Sequence, residues 1–293
     1  MRRLFPILLF VTAACGVESI EGKTSSRSAT ITNGVLDTGH PAVALLELGA
    51  PCSDGSGKTC LVGACTATLV GPRTLLTAAH CLEDVTAIEA FLDGQAYGSA
   101  SWASHPGYTL KPLPDDYPYP MFVDHLEFDI GIVRLDNAPS ISPRPLATEM
   151  PAIGTQITIV GHGATYLDEV SPDYAKRRAV NTISAMASHE IFLEGSGDGE
   201  GSTCVGDSGG PALMQDEGVE LVYGVASWVH PENCEILSTH SRVDVALDWL
   251  RDASGGDVLV QVEQPAPDTT APQVQILSPT ANATVNGLLV LSA

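Results

Sequence analysis

The chain has 293 residues, 44% of them hydrophobic, enough to bury a sizeable core. Lysine and arginine total 14 against 35 aspartates and glutamates, for a net charge of -21. A surface this acidic repels phosphate backbones and anionic headgroups, so no nucleic-acid partner is expected, and the charge favours solubility without identifying a substrate.

In chain order, Met1-Arg2-Arg3 precedes an apolar run from Leu4 to Ala14, and Thr12-Ala13-Ala14 lead into Cys15. Charged, apolar, then small is the order of an export signal over residues 1–14, and the run is too short to cross a bilayer as a stable helix. The junction resembles a bacterial lipoprotein cleavage site, which implies lipidation of Cys15 and a place in the cell envelope; simple secretion is the alternative. Residues 15–30 are small, polar and aperiodic, and read as a flexible leader.

From Ile31 the pattern changes to short apolar runs between turn clusters: 43–48, 67–70, 74–79, 130–135, 156–160, 190–193 and 221–226. Such runs, rich in Val, Ile, Leu and Thr, predict an all-β sandwich or barrel. One helix is expected at 243–252, where Val243, Ala246, Leu247 and Leu250 share a face. Three loops interrupt the pattern. Cys52 to Cys60 reads as a surface excursion clamped by a local disulfide, Lys111 to Pro120 as a proline- and tyrosine-rich insertion unsuited to a central strand, and Gly195 to Gly201 as a flexible approach to the next motif. After residue 254 the composition shifts to a linker over 255–272. Residues 273–293 resemble the start of an immunoglobulin-like β module, incomplete at Ala293.

Three stretches carry chemistry. Cys204-Val205-Gly206-Asp207-Ser208-Gly209-Gly210-Pro211 offers a serine on a glycine-rich turn where backbone N–H groups can converge. Thr77-Ala78-Ala79-His80-Cys81 delivers a histidine at the end of an apolar strand, and Phe128-Asp129-Ile130-Gly131-Ile132 puts an aspartate at the start of another. Alone, each reads as ordinary structure. Together they supply a nucleophile, a base and an orienting carboxylate.

With these motifs in the order His, Asp, Ser, and with Ser227-Trp228 and the C-terminal helix, residues 31–254 resemble the trypsin/chymotrypsin family of serine proteases, in a bacterial, exported form. The resemblance implies two six-stranded antiparallel β-barrels and a triad of His80, Asp129 and Ser208, with the oxyanion hole at the N–H groups of Gly206 and Ser208. It implies disulfides Cys65–Cys81 and Cys204–Cys234, leaving Cys52 and Cys60 to pair with each other. It also implies a zymogen: an activating protease cuts before Ile31, and the new amine pairs with Asp207. The specificity pocket maps to Ser202, Ser227, Trp228 and Val229. Ser202 places no charge there for Arg or Lys, and Val229 narrows the slot, so an elastase-like preference for small aliphatic side chains is expected. Partners are protein or peptide substrates, met by a monomer. No cofactor is expected, and the remaining histidines show no metal-ligand spacing. The rival reading is a catalytically silent binding protein on the same fold.

Overall fold

The computed structural model describes residues 31–119, 124–163, 173–195, 200–230, 233–234 and 236–261. The export signal, the leader with Cys15, most of the 195–201 approach and the tail beyond 261 lie outside the described residues. In chain order the first strands are β1 (Val35–Leu36), β2 (Val43–Pro51), β3 (Thr59–Leu69), β4 (Thr74–Thr77), β5 (Ala87–Leu92), β6 (Gln95–Ser104), β7 (Thr109–Pro112), β8 (Asp124–Glu127) and β9 (Gly131–Leu135). They are followed by β10 (Gln156–Gly161), β11 (Arg177–Met186), β12 (Glu190–Glu194), β13 (Pro211–Asp216), β14 (Val219–Val229) and β15 (Leu237–Arg242).

Two closed, antiparallel, six-stranded barrels result. The first runs β2-β3-β4-β9-β6-β5, and the second runs β11-β10-β13-β14-β15-β12, closed by β11 against β12, with β1 added outside β11. Closure removes the sheet edges that would otherwise invite aggregation. Strands whose residues alternate, such as β5 with Ile88, Ala90 and Leu92 buried and Ala87 and Glu89 exposed, face one barrel interior. β4 is buried along its whole length because the second barrel and the helix cover its outer face.

The C-terminal helix differs from expectation. Asp244–Ala246 forms a 3₁₀ turn, and the α-helix, α1, spans only Leu247–Ala253. The face predicted for it holds, since Val243, Ala246, Leu247 and Leu250 all join the first barrel's core. Nor does the chain leave the fold at residue 254. Asp257 Oδ2 accepts bonds from Arg73 N at 2.9 Å and Thr74 Oγ1 at 2.6 Å, and Leu259 N donates to Val70 O at 2.7 Å. Residues 255–261, expected in a linker, are therefore part of the packed domain.

All three expected disulfides form, with Cα–Cα distances of 5.0 Å for Cys52–Cys60, 6.3 Å for Cys65–Cys81 and 5.2 Å for Cys204–Cys234. The first closes the tip of the β2–β3 hairpin, as its surface position in the sequence suggested.

Candidate active site

His80 is carried by the end of a wholly apolar path. β4 runs into Ala78 and Ala79, both fully buried, and a 3₁₀ turn at His80–Leu82 then leaves the His80 side chain 29% exposed. The Cys65–Cys81 bridge ties that turn to β3. Asp129 arrives from the opposite direction. Phe128 has φ of +52°, uncommon for a side-chain-bearing residue, and Ile130 N donates to Phe128 O at 2.7 Å, so the chain reverses sharply and sends the Asp129 carboxylate inward.

The carboxylate is 0% exposed and fully used. Its Oδ1 accepts from His80 N at 2.9 Å, and its Oδ2 lies 2.7 Å from His80 Nδ1 and 2.6 Å from Ser227 Oγ, which donates to it. Burial works to raise the Asp129 carboxyl, yet the bonds from His80 and Ser227 and the attraction of His80 outweigh it and hold it below its ordinary value. Burial likewise pulls His80 down, and the Asp129 bond and charge more than reverse that. Nδ1 is thereby the protonated ring nitrogen, and the lone pair sits on Nε2.

The Ser208 turn is gripped by the first barrel. Thr66 N donates to Ser208 O at 2.8 Å, Thr66 Oγ1 to Gly206 O at 3.0 Å, and Cys81 Sγ lies 3.8 Å from Ser208 O. This brings Ser208 beside the His80 turn, as the motif order suggested; sequence reasoning passed over Thr66, which carries no motif. Gly206 and Gly209 have φ of +93° and +84°. A Cβ at Gly209 would also run into Thr77 Oγ1 and Thr66 O, so both the conformation and the space require glycine. Among the described residues, the N–H groups of Gly206 and Ser208 have no acceptor, while Gly209 N and Gly210 N are spent on Ala226 O and Asp207 O. Two free donors on one turn form a binding point for a developing negative charge.

Asp207 points the other way, into the second barrel. It is 0% exposed and accepts from Gly163 N at 2.7 Å and Cys204 N at 2.8 Å. Burial pushes its carboxyl up to about 7 against those two bonds. Ile31 is also fully buried, in the second barrel's core, and Thr32 N donates to Ser202 O at 2.9 Å. Its φ of +45° places a β-branched residue in the left-handed region.

Two tyrosines pin the largely exposed stretch Lys111–Tyr119 to the second barrel. Lys111 and Pro112 pair with β8 in a two-stranded ribbon apart from both barrels, and Tyr117 and Tyr119 are buried against Phe192 of β12. A residue that the sequence reading placed in a strand without any further role organises this contact. Glu190, 0% exposed, accepts from Tyr117 Oη at 2.6 Å and Trp228 Nε1 at 3.0 Å, and lies 3.3 Å from His125 Nδ1. Burial pushes Glu190 up against those bonds. The signal was an acidic residue opening an apolar strand, indistinguishable in sequence from a turn residue. Glu190→Gln is expected to free the insertion, costing about 1–3 kcal/mol of stability and raising KM for extended peptides more than for short ones. Thermal unfolding and a KM series over substrate length check it.

Of the pocket residues, Ser227 and Trp228 are held by Asp129 and Glu190, and Val229 pairs with Ser238 across β14 and β15. The neighbouring strand does not fit an aliphatic lining, since β15 brings Ser238 and His240, both missed in the sequence. His162 is half-buried and bonds through Nδ1 to Tyr174 O at 2.8 Å.

Comparison with known proteins agrees with this geometry. The family model described as Trypsin matches residues 49–250. The venom plasminogen activator Haly-PA of Gloydius brevicauda is 28% identical over 226 residues, covering 67% of this chain and 80% of that protein. Transmembrane protease serine 9 of Rattus norvegicus is 28% identical over 251 residues, covering 75% of this chain; the chain spans only 23% of that longer protein. Among solved structures, mouse neuropsin, a serine protease, superposes with a TM-score of 0.58 at 22% identity, over 76% of this chain and 100% of that one. With the family match extending over most of the two barrels and the closed-barrel pair shared with that structure, the chain belongs to the trypsin family of serine proteases.

Proposed function

We propose that the chain is an exported serine endopeptidase that hydrolyses peptide bonds through an acyl-enzyme, acting as a monomer on protein or peptide substrates. The observation that carries this reading is the buried Asp129 carboxylate, bonded to both the backbone and Nδ1 of His80. That double bond fixes the ring with Nε2 as the base. His80 Nε2 takes the Ser208 proton as Oγ attacks the scissile carbonyl carbon, and returns it to the leaving amine. Water, deprotonated by the same nitrogen, then hydrolyses the ester. The N–H groups of Gly206 and Ser208 hold the oxyanion, where losing one donor costs roughly 2.7–4 kcal/mol. In the apo site Ser208 Oγ need not yet bond His80, because such contacts tighten when substrate binds.

The chain is made as a zymogen, cut before Ile31, whose amine then meets Asp207. Ser202 supplies no charge and Val229 narrows the slot, so the cleaved residue is slender and is neither Arg nor Lys. The leader has Cys15 as its sole cysteine, and the six cysteines of the domain pair with one another. With a lipid on Cys15, cleavage before Ile31 is expected to release the enzyme unless the C-terminal tail holds it. Processed enzyme recovered in the membrane fraction contradicts this.

Fluorophosphonate labelling of Ser208, before and after cleavage at Ile31, tests the whole reading. Labelling that rises on cleavage supports it. No labelling in either state favours the binding-protein reading.

A further inference from the structure

β15 breaks a rule that the rest of the second barrel obeys. Its Ser238-Thr239-His240-Ser241 stretch is polar throughout and no more than 1% exposed at any residue. Buried polar groups are normally hydrogen-bonded. Here, among the described residues, Ser238 Oγ, Ser241 Oγ and both ring nitrogens of His240 have no partner, and neither has Ser202 Oγ, on a residue that is also 0% exposed.

Ser238 and His240 are two residues apart on a strand and so share a face. Ser238 lies opposite Leu193 and Val229, and His240 opposite Ile191 and Ala226. Ile191 and Leu193 belong to the second barrel's core, which also contains Ile31. Ser202 reaches that core by another route: Ser202 N donates to Thr32 Oγ1 at 3.0 Å beside Ile31, and the Cys204–Cys234 bridge draws its segment toward the entrance of β15. β14 packs closely on His240: a Cβ added at Gly224 would meet His240 Cβ at 3.0 Å and Ile191 Cδ1 at 3.1 Å.

We propose that Ser202, Ser238 and His240 form a polar floor to the specificity pocket that takes a substrate side chain ending in a carboxyl or carboxamide group. This rests on the protease reading of Ser208. Two hydroxyls and a neutral imidazole offer three donors and several acceptors, the set a planar carbonyl-bearing group satisfies. An aliphatic side chain leaves all of them unpaired, and Arg or Lys finds no carboxylate. Sites built to bond a polar group reject analogues that lack it far more strongly than an apolar slot rejects a methylene. The two candidate groups differ in their need for a proton. Burial alone pulls His240 down to about 3, and the facing residues, Ile191 from β12, Gly224 and Ala226 from β14, Ser238 on its own strand and Ser202, bring no charge. A carboxylate seated there must bring a proton to share with the ring, whereas a carboxamide needs none.

The test uses the full chain cleaved before Ile31 and a panel of peptide amides differing only at the cleaved residue: Gln, Glu, Ala, Val and Arg. Gln or Glu is expected to exceed Ala and Val in kcat/KM by roughly tenfold or more. A Glu optimum that fades relative to Ala between about pH 6 and about pH 8 identifies the carboxyl, and a Gln optimum without that fading the carboxamide. His240→Leu and Ser238→Ala should each erase most of the preference and raise the melting temperature by removing unpaired polar atoms. A merely structural role predicts lower melting temperatures and an unchanged preference. An optimum at Ala, Val or Arg overturns the inference, as does a preference that survives both variants. If Ser208 takes up fluorophosphonate while the panel shows no polar preference, only this inference falls; if Ser208 is never labelled, the protease reading falls with it.

Discussion

Asp129→Asn is expected to lower kcat by about 10⁴-fold with little change in KM. An asparagine amide of the same shape presents an N–H where Oδ2 now accepts from His80 Nδ1 and Ser227 Oγ. To avoid facing that donor the imidazole must move its proton to Nε2, and the base that Ser208 needs is lost. The same substitution changes the pH profile of stability, with a sign that follows from the two shifts. The lowered Asp129 value stabilises the fold above about pH 4 and is lost as pH falls through the native value; the raised His80 value stabilises it below about pH 6.5 and is lost as pH rises through the native value. The pair thus contributes most between those limits, and the asparagine variant should lose stability mainly there. Single-turnover kinetics and urea unfolding across pH check both parts; a kcat loss below about tenfold would sink the assigned role.

Asp207→Asn is expected to act in opposite directions before and after cleavage at Ile31. In the uncleaved chain the Asp207 carboxyl has only two backbone N–H donors and titrates near about 7, well above an unfolded aspartate. The folded state then holds the proton more tightly than the unfolded chain, so stability falls as pH rises from about 4 to about 7, by about 4 kcal/mol in all. Asparagine removes that loss, and the uncleaved variant should be the more stable protein at about pH 8. Cleavage supplies an ammonium group. The wild type then gains a buried pair, and the same substitution should cost about 3–5 kcal/mol and abolish activity. Parallel unfolding curves of both forms decide it; destabilisation of the precursor and the mature form alike at about pH 8 contradicts the pairing.

The barrel strands legible in sequence are those with an apolar face, such as β2, β9 and β10, because burial leaves a mark on composition. β6 left none. Gln95 to Ser104 is mostly small and polar and largely exposed, and it is a strand because its backbone pairs with β5 and β9 to close the first barrel. The bonded His80 and Asp129 and the three disulfides were legible because their residues sit within short local motifs. Glu190, Ser238 and His240 were not, since each depends on what a distant segment places opposite it. The helix began later than its apolar spacing suggested because the first turn at Asp244–Ala246 tightened to 3₁₀ geometry while keeping the same buried face.

Ile31, already seated in the second barrel with φ of +45°, has a consequence for the direction of activation. That angle is defined only while residue 30 is attached through a peptide bond. A β-branched residue held there stores on the order of 1–3 kcal/mol, and hydrolysis of the preceding bond abolishes the torsion itself. A cut before Ile31 would remove that load while leaving the residue its seat in the second barrel.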